Sequence, residues 1–317
     1  MKKTINWKNL RDSSGVWIAL LLFLAVAAIS NENFRSPQNL INITRQVSYS
    51  GIIALGMTFV IATGGIDLAV GSLFALSGIV SLLAMNATGG TECVQLAVGL
   101  GVALGVGVVG GAFNGALIGA ARIQPFIVTL GTMSIFRSLS LYFANAGLIG
   151  VDNSLYMQLG MADFGGIPLS TLLLFLLTVT LAIILKRTRF GRYVCAVGSS
   201  ERVAYYSAIR VGLVKFWTYV LAGLLAGFSA FLLGGRLNSI SSSGAGLSYE
   251  LDAIAAVIIG GSAMTGGRAT VTGTLAGILL LGIVSNVLDM WGISVNLQGA
   301  VKGLVIIIAV LIQYKRK

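Results

Sequence analysis

Apolar side chains occur along this chain in long runs that are separated by short polar connections. A helix needs about 20 such residues to cross the roughly 30 Å of hydrocarbon in a membrane. The pattern predicts ten spans, at about 15–31, 47–64, 66–86, 93–120, 125–147, 167–186, 214–235, 251–265, 269–290 and 296–314. The predicted fold class is therefore all-α, a polytopic transmembrane helical bundle that forms a single domain over 1–317.

Two of these runs have unusual lengths. The run 251–265 is too short to cross a membrane alone, so it predicts a broken or re-entrant helix whose backbone is satisfied by neighbouring protein. The 28-residue run 93–120 is long enough to contain a kink.

Glycines follow each other at intervals of four in this long run, at Gly107, Gly111, Gly115 and Gly119. One helix face therefore lacks side chains and can admit a neighbouring backbone, either as a static contact or as a moving interface. Asn114 lies among these glycines, where its amide either bonds across helices or faces a pathway.

The basic residues are distributed unevenly among the connections. An even number of spans puts both termini on one side, and Lys and Arg are enriched on the cytoplasmic side of membrane proteins. The terminal side holds 16 of the 21 Lys and Arg residues: Lys2, Lys3, Lys8, Arg11, Arg122, Lys186, Arg187, Arg189, Arg192, Arg202, Arg210, Lys215, Arg268, Lys315, Arg316 and Lys317. We therefore predict a multi-pass protein with both termini in the cytoplasm.

Composition supports this class and excludes several functions. The chain is 56% hydrophobic and 10% charged, with a mean hydropathy of +0.93, which is outside the range of soluble domains. It has no histidine and only two cysteines, Cys93 and Cys195, so we expect no metal site, no cofactor and no histidine-dependent catalytic residues. The net charge of +11 follows from membrane topology, and nucleic acid is not an expected partner.

The segment 187–214 is the only sizeable polar connection on the predicted cytoplasmic side. Ser199 or Ser200 can cap a helix there, Glu201 suits its first turn, and the chain then continues to Ile209 without proline or glycine. Such a helix could anchor at lipid headgroups or dock on a soluble partner. Docking is favoured because Ala204 and Ala208 are too small to bind lipid strongly.

Charged residues inside or beside apolar runs form a second candidate site. Arg137 lies about twelve residues into the fifth predicted span, while Asp67, Glu250 and Asp252 flank glycine-rich breaks. An intramembrane charge costs about 2.5 to 3.5 kcal/mol on insertion scales, so it requires a polar partner or a wet cavity. These residues, with Asn114, are candidates for a substrate pathway or gate, and structural pairing inside the bundle is the alternative.

Four stretches carry a resemblance to a known family. They are Gly64–Ser72; Asn114–Gly115 with Gln124–Leu130; Thr188–Tyr193 with Ala196–Gly198; and Tyr249–Ala256 through Gly260–Gly261. In these stretches the chain resembles the permease subunits of bacterial monosaccharide ABC importers, and among them the ribose permeases most. The similarity runs from about residue 16 to the end of the chain.

The resemblance implies a type II-like permease in the bacterial inner membrane that transports a monosaccharide, most simply ribose or a related pentose. Its partners would be a second permease copy, a separate ABC ATPase subunit and a periplasmic or lipid-anchored sugar-binding protein. The segment after Arg192 would contain the coupling helix for the ATPase. Outer arginines would receive the binding protein, and Arg35, Arg45 and Arg236 are the candidates.

The chain itself has no Gly-x-x-x-x-Gly-Lys-Ser/Thr loop for ATP phosphates, so we expect hydrolysis in the separate subunit and no enzyme activity here. The expected mechanism is alternating access, with ATPase movement transmitted through the helix in 187–214. Two alternatives are an ion-coupled secondary transporter or channel and a structural scaffold or receptor. The first has few intramembrane carboxylates available for ion coupling.

Overall fold

The computed structural model describes residues 7–30, 32–294, 297–301 and 303–304. The tenth predicted span, 296–314, lies largely outside the described residues. Lys2, Lys3, Lys315, Arg316 and Lys317 lie outside them entirely.

Within the described chain, seven helices are long and apolar enough to cross a membrane. They are α2 (Pro37–Ala62), α3 (Val70–Ala87), α4 (Glu92–Gly119), α5 (Pro125–Phe143), α7 (Leu169–Arg187), α10 (Val211–Leu237) and α12 (Val271–Met290). The first predicted span falls in α1 (Trp7–Ser30), whose described apolar part is Val16–Ile29. The prediction of an all-α, multi-span fold is confirmed, whereas the count of ten remains a prediction.

The short elements lie between these helices. They are a 3-10 turn (Glu32–Arg35), β1 (Leu148–Gly150), α6 (Ser154–Met161), β2 (Asp163–Phe164), β3 (Ile167–Pro168), α8 (Arg189–Ser199), α9 (Glu201–Tyr206), β4 (Ser239–Ser241) and α11 (Tyr249–Ile259). The eighth predicted span corresponds to α11, which has 11 residues and is too short to cross a membrane, as expected from its sequence.

The start of the second span was predicted wrongly. We expected it at residue 47, but α2 begins ten residues earlier, where Ser36 caps the helix and Pro37 occupies its first turn. Polar residues in these early turns lower the local hydropathy. They are accommodated because Asn39 exchanges amide hydrogen bonds of 3.0 and 2.8 Å with Asn286 of α12.

The core is centred on α2, because 89% of the most apolar stretch of this helix is buried. Helix α10 packs against α2 on one side and α4 on the other. α4 is a single helix of 28 residues, and a Cβ added to Gly107 would lie 2.2 Å from the carbonyl oxygen of Gly223 in α10. The predicted close packing of the glycine face is therefore confirmed.

The two ends of the bundle differ in character. We call one end the basic face; it carries α8, α9 and the connections 120–124 and 260–270. We call the other end the strand face; it carries α6 and two antiparallel strand pairs, β1 with β4 and β2 with β3. Residues Leu148 and Gly150 of β1 pair with Ser241 and Ser239 of β4.

Candidate functional site

The predicted polar segment of the basic face forms two short helices. Thr188 caps α8 by accepting a hydrogen bond from the amide of Gly191. Ser200 caps α9 by accepting from the amide of Val203, at 3.3 Å. Of the two predicted caps, Ser200 is confirmed, while Ser199 ends α8 and donates its hydroxyl to the carbonyl of Cys195.

The exposed surface of α9 combines charged Glu201 and Arg202 with three apolar or aromatic residues. Val203, Tyr205 and Tyr206 are 64%, 67% and 73% exposed, although they lie on a polar face of the protein. Contiguous exposed apolar groups mark protein–protein or membrane interaction sites. The predicted docking residues were Ala204 and Ala208. Val203, Tyr205 and Tyr206 were not among them, although their positions on a helix starting at Glu201 place them opposite Ala204.

Ala204 occupies a different place from the one expected of a docking residue. It is 2% exposed and belongs to the hydrophobic core, so it holds α9 on the bundle and cannot contact a partner directly. Ala208 is exposed and follows α9 with a left-handed backbone. Glu201 pairs with Lys215 of α10, which fixes the start of α9 to the next long helix.

The C-terminal end of α8 packs against the C-terminal end of α2. A Cβ on Gly198 would lie 1.9 Å from the carbonyl oxygen of Ala62, the last residue of α2. The amide of Gly267 donates to that same carbonyl at 3.0 Å. Because of these two contacts, movement of α8 would press directly on the end of α2 and on the connection 260–270.

Arg192 of the predicted coupling segment is exposed on α8. It donates to the carbonyl of Arg187 at 3.4 Å.

A largely buried non-helical segment, residues 63–69, follows the C-terminal end of α2. Asp67 in this segment is 1% exposed, and its Oδ1 accepts from the amide of Ala69 at 2.9 Å at the start of α3. The Tyr219 hydroxyl of α10 and the Thr129 hydroxyl of α5 both donate to the carbonyl of Ile66, at 3.0 and 3.4 Å. Asp67 thus acts first as a structural cap for the break.

Arg137 binds the backbone of the connection between β4 and α11. Its Nη1 donates to the carbonyls of Ser242 and Ala245, at 2.9 and 3.0 Å. The half-buried guanidinium also interacts electrostatically with Glu250. Arg137 therefore has the polar partners that an intramembrane charge requires.

Glu250 lies where α11 meets α3. Its Oε2 would be 2.4 Å from a Cβ on Gly71, so this carboxylate requires a glycine at that position. Asp252 shares the first turn of α11 with Glu250, where negative charge suits the positive helix end. Arg137 attracts the Glu250 carboxylate, whereas Asp67 and Asp252 carry like charges that repel it. Glu250 thus lies within electrostatic reach of three other pathway candidates, and we call these four residues the Glu250 cluster.

The fifth pathway candidate, Asn114, is fully buried on α4. Neither its amide nitrogen nor its carbonyl oxygen forms a hydrogen bond among the described residues. Its neighbours Gly111 and Gly115 lie against the α10 backbone. Asn114 thus lies in the packed helix interface without the cross-helix bond that the sequence allowed.

The three outer arginines occupy different environments. Arg35 is exposed, with a carboxylate oxygen of Glu32 at 3.9 Å. Arg45 is half-buried in α2, and its Nε is buried without a hydrogen bond. Arg236 lies over the ring of Tyr49, 5.8 Å from its centroid. Only Arg35 has the exposure expected of a docking residue.

Comparison with known proteins identifies the family. A family model described as "Branched-chain amino acid transport system / permease component" matches residues 39–310. The chain belongs to this family of permeases. No solved structure gave a significant match.

Three relatives match this chain over nearly the whole length of both proteins. The "Ribose import permease protein RbsC" of Bacillus subtilis (strain 168) is 43% identical over 99% of this chain and 97% of its own. RbsC of Escherichia coli (strain K12) is 37% identical over 95% of this chain and 93% of its own. The "L-arabinose transport system permease protein AraH" of the same strain is 31% identical over 100% of this chain and 95% of its own.

Proposed function

We propose that this permease is the membrane-spanning subunit of an ATP-driven importer of ribose or a related pentose. The observation that carries the proposal is its full-length similarity to two proteins named ribose import permeases. The chain lacks a phosphate-binding loop of the Gly-x-x-x-x-Gly-Lys type, so a separate ABC ATPase subunit would supply the energy. The permease itself would act as a single domain without enzymatic activity.

The ATPase would dock on α9. Val203, Tyr205 and Tyr206 offer it an apolar surface, and buried Ala204 and the pair of Glu201 with Lys215 hold that surface in place. The basic face would then be cytoplasmic, in agreement with the enrichment of Lys and Arg on that side. Both termini would share this side of the bacterial inner membrane.

Movement of the ATPase would reach the pathway through α8. Gly198 of α8 touches the end of α2, from which residues 63–69 lead to α3 and to the Glu250 cluster. Short α11 is a part of the bundle that could shift without unfolding a complete span. This arrangement supports alternating access, in which two permease copies rock to release sugar inward.

The strand face would meet the sugar-binding protein, whether periplasmic or lipid-anchored. Arg35 is the best placed of the three arginines for this contact, because it alone is exposed. A second copy of this chain would complete the pathway, and lipid would cover the exposed apolar faces of helices such as α4 and α5.

The test is reconstitution of the permease with its ATPase and binding protein in liposomes. We expect uptake of ribose that depends on ATP and on all three components. Flux through the permease alone under an ion gradient would favour a secondary transporter. Stable assembly without flux would favour a scaffold.

A variant of α9 tests the docking step. Val203→Glu places a charge in the proposed interface, and loss of an interface anchor costs about 2 kcal/mol, or about thirty-fold in affinity. We expect the ATPase to be lost on co-purification while the permease remains in the membrane. Met157→Glu is the control, an exposed apolar residue of α6 on the strand face. Equal recovery of ATPase with both variants would contradict docking at α9.

A further inference from the structure

A polar cavity of about 450 Å³ opens between α2, the end of α10, β4 and the start of α11. Six of its lining residues have polar side chains: Gln46, Tyr49, Arg236, Ser239, Ser241 and Tyr249. Small-molecule sites in proteins have volumes of about 300 to 1000 Å³ and place a few polar groups on a largely preformed wall. The cavity falls in this range.

The walls of the cavity are held from outside. β4 is paired with β1, and the hydroxyl of Ser242, just after β4, donates to the carbonyl of Gly147 at 2.8 Å. Arg137 holds the carbonyls of Ser242 and Ala245 from the side of α5. Gly246 packs so closely on Gly71 that a Cβ there would lie 2.2 Å from a carbonyl oxygen. The connection therefore cannot easily collapse into the cavity.

Two polar side chains at the cavity, Gln46 and Arg236, are available to a ligand. The Gln46 side chain is exposed, whereas the Tyr49 hydroxyl is buried behind the lining, flanked by Ser170 and Arg236. Arg236 forms no ion pair within the described part of the chain. A guanidinium has five N–H donors, so several remain for a ligand even beside a tyrosine.

The chemistry of the lining restricts the ligand. None of the lining residues is acidic, which disfavours cations and amines. Serine, tyrosine and glutamine side chains both donate and accept hydrogen bonds, as the hydroxyl groups of a sugar do. Leu237 and the ring of Tyr249 supply the apolar surface that such sites also contain.

We infer that this cavity is a binding subsite for one neutral monosaccharide, in which Gln46 and Arg236 contact the sugar hydroxyls. The inference rests on the proposed function and gives it a location: sugar would pause here after entering from the strand face, beside the connection that Arg137 holds. Tyr49 and Ser241 complete the polar lining.

The experiment uses a cysteine reporter in the assembled transporter. In a background with Cys93 and Cys195 replaced by serine, Leu237→Cys places a thiol at the cavity, because Leu237 lines it and is 55% exposed. Maleimide labelling is measured with increasing ribose or ribose 5-phosphate. Met157→Cys, exposed on α6 away from the cavity, is the control reporter.

We expect ribose to protect Leu237→Cys but not Met157→Cys, whereas protection by ribose 5-phosphate alone would mean that Arg236 makes the cavity an anion site. Adding Gln46→Leu should raise the ribose concentration for half-protection by about three- to ten-fold, as expected for one lost hydrogen bond. Arg236→Gln should raise it further. The matched variant Gln158→Leu, exposed on α6, should leave it unchanged.

The inference would be overturned if ribose did not change the labelling, if only ribose 5-phosphate protected the thiol, or if Gln46→Leu and the parent were protected equally. Ribose uptake by the same preparation is measured in parallel. Uptake without protection would contradict the subsite and leave the proposed importer function intact. Absence of ATP-driven uptake would contradict the importer function itself.

Discussion

Close packing between α4 and α10 should make the chain intolerant of a single methyl group at Gly107. A Cβ there would lie 2.2 Å from the carbonyl oxygen of Gly223, whereas ordinary contact begins at about 3.4 Å. The two backbones would have to separate by about 1.2 Å, and a gap of 0.5 to 1 Å already loses a quarter to a half of the van der Waals attraction of neighbouring atoms. We expect Gly107→Ala to destabilise the protein by about 1 to 3 kcal/mol.

The matched control lies in the same helix. Gly101 and Gly105 have nothing within 4 Å of an added Cβ, and alanine is favoured over glycine in a helix by about 0.8 to 1 kcal/mol. Thermal unfolding of the purified permease, followed by loss of the monodisperse peak in size-exclusion chromatography, should therefore show lower stability for Gly107→Ala and unchanged or higher stability for Gly101→Ala. Equal melting temperatures for the two variants would contradict a tight backbone contact at Gly107.

Three further predictions concern the site and the topology. Gly71→Ala should abolish uptake with normal membrane insertion, because its Cβ would lie 2.3 Å from the carbonyl of Gly246 and displace the Glu250 carboxylate; uptake equal to that of Gly101→Ala would contradict this. Arg137→Gln should speed hydrogen exchange in residues 242–248, since two charge-assisted hydrogen bonds are lost, and Arg137→Lys should restore part of the protection. A membrane-impermeant maleimide should label exposed Cys93 on intact cells and Cys195 only in inverted membranes. In these inverted membranes Cys195 should be labelled slowly, and its labelling rate should rise only above the usual pH range of thiols, because burial raises the pKa of its thiol and lowers the thiolate fraction. Labelling of Cys195 on intact cells would overturn the proposed orientation.

The helices of the basic face show how far local pattern could predict the site. Ser200 and Glu201 were recognisable because capping depends on a few adjacent residues. Helix α8 was missed because Gly191 and Gly198 lower its propensity, and they are retained for contacts with the ends of α7 and α2. Ala204 was assigned to the docking surface because its small size looked the same whether it faced the core or a partner.

The class of this protein, the approximate positions of the seven described spans, the shortness of α11 and the glycine contact of α4 could be predicted from the sequence, because these follow from hydrophobic length and from spacing along one helix. Tertiary structure alone decided which distant residues meet: Arg137 with the connection after β4, Glu250 with Gly71, and Arg236 with Tyr49. Such pairs are separated by many residues, and their contacts depend on the relative positions of several helices. A local pattern carries no information on those positions, so the cavity beside Tyr49 became visible only in the folded chain.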